Sequence, residues 1–168
     1  MNDARVELKL WLIGLGAFAV VIAMSAYLRA NSIGIVEHQL AGTAERVNEI
    51  QTQWRADGMR GWAMVSMAAD LIFIGVYGIG AWIAGRSIAA SGGGLLRLIG
   101  WVAAIAGAVF LVTDYAETIL QMIQLVREAG SDGMARTAAA MQNPKTLAWL
   151  VSFLGVLAGA IARRFIRS

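Results

Sequence analysis

Of 168 residues, 58% are hydrophobic and 15% charged, with a mean hydropathy of +0.64; soluble domains carry roughly 25% charged residues, so water is not this chain's main solvent. The formal charge of +3 and pI near 9.8 do not point to nucleic acid. The basic residues flank apolar runs and form no stripe interleaved with aromatics. The absence of cysteine excludes disulfides, thiolate zinc sites and cysteine nucleophiles.

The first apolar segment, about residues 10–28, follows Arg5 and Lys9. It is longer than the 7 to 15 residues usual for a signal-peptide core, so an uncleaved membrane anchor is expected. Residues 29–61 form the longest extramembrane piece. Leu40, Ala44, Val47, Ile50 or Gln51, and Trp54 recur there at three- and four-residue steps, with Glu45, Arg46, Glu49 and Arg55 between them. That spacing predicts an amphipathic helix lying on the membrane surface or over the mouth of a bundle. His38, the single histidine, is expected to be an ordinary exposed side chain of this piece.

Three further apolar segments follow, at about residues 62–84, 98–126 and 146–162. A bilayer core of ~30 Å takes about 20 helical residues, and each segment approaches or exceeds that length. Trp11, Trp62, Trp82, Trp101 and Trp149 fall at segment ends, where an amphipathic indole favours the headgroup level. Gly92, Gly93 and Gly94 predict a tight helical-hairpin turn between the second and third segments. Asn143 and Pro144 read as the start of the fourth, because asparagine caps and proline suits a first turn. Gly155 and Gly159 form a GxxxG step that lets another helix approach closely.

The topogenic charges are balanced, seven on each side: Arg5, Lys9, Arg86, Arg97, Arg163, Arg164 and Arg167 against Arg29, Arg46, Arg55, Arg60, Arg127, Arg136 and Lys145. The first set is concentrated in short stretches near segment ends, and charges there weigh most. Both termini are therefore expected on the cytoplasmic side. The fold class is all-α: a single integral membrane domain over residues 1–168, a bundle of four transmembrane helices with an amphipathic extramembrane helix between the first two.

Asp70, Asp114 and Glu117 lie inside these apolar segments. A charge at bilayer depth costs on the order of 3 kcal/mol on the lenient insertion scale, so such residues face a protein interior or a watery path. Heptad reading of the third segment gives Gly100, Ala103, Gly107, Phe110, Asp114, Glu117, Gln121 and Gln124. The second gives Ala63, Ser66, Asp70, Phe73, Tyr77, Gly80 and Ala84. Stripes of small and polar residues face other helices rather than lipid. An antiparallel hairpin turning at Gly92 then sets Asp70 opposite Asp114, Glu117 opposite Ser66, Tyr77 opposite Gly107 and Ala84 opposite Gly100.

Three carboxylates held together cannot all stay ionised without compensation, because desolvation and like-charge repulsion both disfavour the charge. At least one should hold a proton or share a hard cation. Asp70, Asp114 and Glu117 would bind or couple the proton, cation or small ligand, with Tyr77, Ser66, Gln121 and Gln124 supplying hydrogen bonds. Two other readings stand beside this one. In the first, protonated acids act as interhelical glue in a protein that assembles with another membrane protein. In the second, they serve as acid and base in an intramembrane enzyme acting on a lipid or apolar substrate. No dedicated metal motif is present, and no motif names a reaction. Partners are the lipid bilayer and either a second copy or a partner membrane protein, without nucleic acid.

The pattern Asp70-x-x-Phe73-x-x-x-Tyr77, with Asp114-x-x-Glu117 on the next helix, resembles bacterial four-helix membrane proteins with Asp-x-x-Phe-x-x-x-Tyr and Asp-x-x-Glu-Asn patterns. Thr118 stands where that pattern has asparagine. The resemblance covers the central third of the chain and implies a shared site on the second and third helices; the expected location is a cell inner membrane. It implies no activity.

Overall fold

The computed structural model describes residues 7–167, with side chains described to Arg164. Arg5 and the Arg167 side chain, counted above among the inner charges, lie outside the described residues. Six helices follow in order: α1 (Lys9–Asn31), α2 (Ile35–Gln39), α3 (Ala44–Ala56), α4 (Arg60–Ala90), α5 (Gly94–Arg127) and α6 (Asp132–Arg167). Of these, α1, α4, α5 and α6 are long and apolar enough to cross a membrane. Short α2 and α3 lie between the first and second of them, so the all-α architecture with four candidate spans holds.

Two local expectations change. The fourth span does not begin at Asn143 and Pro144, because α6 starts at Asp132 and carries Pro144 within it. Proline removes one helical donor and disfavours helix at the preceding residue, but Ala138, Ala139 and Ala140 are strong helix formers and Asp132 suits a helix N-terminus. Lys145, placed above in an outer loop, is instead a helical residue and is buried. The amphipathic helix is also shorter than its spacing suggested. Thr43 caps α3, its hydroxyl accepting from the Arg46 N–H at 3.2 Å, so Leu40 falls in the turn before it and is exposed.

The chain forms two compact units, and α1, α4, α5 and α6 each contribute to both. Of the described residues, the first contains 7–16, 74–112 and 144–167. It is held by backbone approach: a Cβ on Gly85 would lie 2.5 Å from the Ala104 nitrogen, and one on Gly100 would meet the Ala89 backbone. The GxxxG step packs within the same chain, with Gly155 on Ala103 and Gly159 on Ile88.

These contacts correct the expected register. Gly100 lies against Gly85 and Ala89 rather than Ala84, and Gly107 against Ala81 rather than Tyr77. The hairpin has slipped by about four residues, one helical turn, even though the end of α4 at Ala90 and the start of α5 at Gly94 lie symmetrically about Gly92. Backbone contact between small residues, not the centre of the glycine run, sets the pairing. Gly100→Leu is accordingly expected to cost about 3 kcal/mol or more through overpacking. Gly16→Ala, which meets nothing within 4 Å, should be neutral or stabilising by up to about 1 kcal/mol. Unfolding in mixed micelles measures both.

The second unit contains residues 17–73 and 113–143. Leu28, Ile50, Trp54, Ala63, Met67 and Leu125 form its apolar core, joining α1, α3, α4 and α5. The Trp54 indole donates to the Ile33 carbonyl at 2.7 Å and the Trp62 indole to the Met24 carbonyl at 3.1 Å. The start of α3 is tied to the α5–α6 connection, where the Ala44 N–H donates to Asp132 and the Gly130 N–H to Asn48. Together α2 and α3 form a cap whose outer residues Glu45, Arg46, Glu49 and Gln53 are exposed.

Candidate functional site

Within the second unit, one face of α5 carries Asp114, Glu117, Thr118, Gln121 and Gln124, spaced at three- and four-residue steps and all buried. Val112, Ile119 and Val126 occupy the opposite, exposed face. The apolar side is thus left for lipid and the polar side is turned into the protein, as the cost of a charge in hydrocarbon demands. From α4 come Ser66, buried, and Asp70, half-buried.

Gln121 Nε2 donates to Glu117 Oε1 at 3.2 Å, and Glu117 is completely buried (0% exposed). Thr118 Oγ1 donates to Asp70 Oδ2 at 3.2 Å, joining α5 to α4. The one-turn slip explains this partner: Thr118 comes opposite Asp70 where Asp114 was expected. Gln124 donates to the Leu120 carbonyl and accepts from the Ser131 N–H, so it ties the end of α5 to the following connection. Among the described residues no three acidic or histidine side chains are grouped so that they could hold a metal ion. Thr118→Val should remove the bond to Asp70 and cost about 1 kcal/mol, measured against Thr118→Ser, which keeps the hydroxyl.

Tyr77 belongs to the other unit. Its hydroxyl lies 3.0 Å from Ser152 Oγ, and its ring meets Phe110 edge-on with centroids 5.2 Å apart.

Two polar residues beneath the cap were not anticipated as part of this site. His38, expected to be exposed, is 2% exposed and packs on the Trp54 ring with centroids 5.0 Å apart. Burial pulls its pKa down from 6.5 to about 4, offset in part by the neighbouring Gln121 side chain. Neither imidazole nitrogen reaches a partner at hydrogen-bonding geometry. Gln51, one turn before Trp54 on the buried face of α3, is likewise enclosed with both carboxamide atoms unpartnered. Its place in the three- and four-residue period was a usable signal. For His38 there was none, because α2 spans five residues, too few to show a face.

No family model, curated protein or solved structure matches the chain.

Proposed function

We propose that this integral membrane protein binds and exchanges protons at Asp70, Asp114 and Glu117, with Thr118 and Gln121 as hydrogen-bonding partners, as a transport or ligand-binding module. The observation that carries the reading is Glu117: fully enclosed on a membrane-length helix and bonded by the neutral Gln121. A carboxyl enclosed in the protein on a membrane-length helix is suited to gaining and losing a proton, and intramembrane acids of this kind mark proton paths. Small membrane modules of four spans offer little room for a complete path, so a second copy or a partner membrane protein belongs to the proposal. The cap faces the outer side of a cell inner membrane, with both termini cytoplasmic.

Infrared spectroscopy of the full chain in liposomes tests this. A protonated-carboxyl stretch that shifts with pH and disappears selectively in Glu117→Gln supports it, provided that the variant folds with near wild-type yield in detergent. If Asp70→Asn, Asp114→Asn and Glu117→Gln all fold but leave the carboxyl spectrum and proton uptake unchanged, the proposal fails.

A further inference from the structure

Among the buried side-chain atoms of the second unit without a hydrogen-bond partner in the protein are five from three residues: Nδ1 and Nε2 of His38, Nε2 and Oε1 of Gln51, and Oγ of Ser66. All three residues are at most 3% exposed. Leaving a buried polar group unsatisfied costs folding free energy, so five dry orphans would consume much of the marginal stability of a typical fold.

Their positions connect. His38 packs on Trp54 and lies beside Gln121; Gln51 is one turn from Trp54 on the same buried face. Ser66 lies one turn after Ala63, which shares a core with Ile50 and Trp54, and one turn before Asp70. Gln121, in turn, bonds Glu117. The orphans therefore lie between the cap and the intramembrane acid. Their chemistry selects the guest. Neutral imidazole offers one donor and one acceptor, the carboxamide offers both, and the hydroxyl either. A neutral molecule that donates and accepts satisfies all of them, and water is the smallest.

We propose that His38, Gln51 and Ser66 enclose a group of buried water molecules beneath the α2–α3 cap, and that this hydrated pocket is the proton entrance to Glu117. The inference rests on the proton-binding reading above. In each exchange the Glu117 carboxyl O–H breaks, its proton leaves to water, and a proton from water forms the new O–H, with no net change in charge. Buried water is held by two to four polar groups, so removing them should close the route.

The test is the rate at which the Glu117 carboxyl band shifts after the full-length protein in liposomes is moved into D2O. Gln51→Leu and Ser66→Ala are expected to slow it by about tenfold or more, and Gln51→Leu to lower stability. Ser66→Ala, the smaller change, carries the kinetic test if Gln51→Leu does not fold. Unchanged exchange in a folded variant, or a Gln51→Leu protein more stable than wild type, means a dry pocket and overturns this inference alone. If no Glu117 carboxyl band exists to exchange, the proton-binding reading falls and the entrance with it.

Discussion

Trp54→Ala is expected to lower the unfolding free energy by about 4 kcal/mol, within the range for deleting a buried aromatic side chain. Trp54 is 0% exposed, packs with Leu28, Ile50, Ala63, Met67 and Leu125, and supports the His38 ring. Its indole N–H also holds the Ile33 carbonyl of the α1–α2 connection. Trp54→Phe separates the contributions: it keeps most of the apolar area, and the lost hydrogen bond should leave a deficit of about 1–2 kcal/mol. The ion pairs that Glu128, just past α5, makes with Arg55 of the cap and Arg60 of α4 carry far less. Glu128 lies 3.3 Å from Arg55 and 2.9 Å from Arg60, but Glu128 and Arg55 are nearly half exposed, and such pairs contribute about 0–1 kcal/mol. Unfolding in mixed micelles should therefore show Trp54→Ala several times more damaging than Arg55→Ala. Equal losses would mean that surface charge, not the core, fastens the cap.

The four spans were legible because length and hydropathy are properties of the segment itself. The buried face of α3 was legible for a similar reason: Val47, Ile50, Gln51 and Trp54 follow the helical period and are buried. Register was harder. A turn centred on Gly92 is the economical guess for a glycine run, but the closest backbone approach occurs where Gly85, Ala89, Gly100 and Ala104 meet. That contact depends on two helices at once, which no local pattern contains. The error moved Asp70's partner by one turn, from Asp114 to Thr118. Pro144 misled in the opposite way, since a strong local start signal was overridden by a helix continuing on both sides. Tyr77 shares a heptad stripe with Asp70, yet its hydroxyl finds Ser152 on α6. A stripe places side chains on one face of a helix. It does not say which neighbour each of them meets along the helix's length.

Acidification from neutral pH to about pH 4 is expected to cost up to about 3 kcal/mol through His38 alone, the free-energy equivalent of lowering its pKa from 6.5 to about 4. The folded protein holds the buried ring neutral, whereas the unfolded chain takes up a proton near 6.5. Between those values the unfolded state binds more protons. This contribution is therefore complete above pH 6.5, declines as pH falls towards about 4, and levels off below, where both states are protonated. Asp57 acts in a different window. The Ser32 hydroxyl, then Gln53, hold its carboxyl below the usual value of 3.8, so its share is lost only as pH falls below that value through its depressed folded value. His38→Phe keeps an aromatic ring on Trp54 and removes the titration, so its stability should be flat between pH 6.5 and about 4 where wild type declines. Equilibrium unfolding at a series of pH values measures both slopes. Parallel slopes would mean that His38 titrates alike in the folded and unfolded chains.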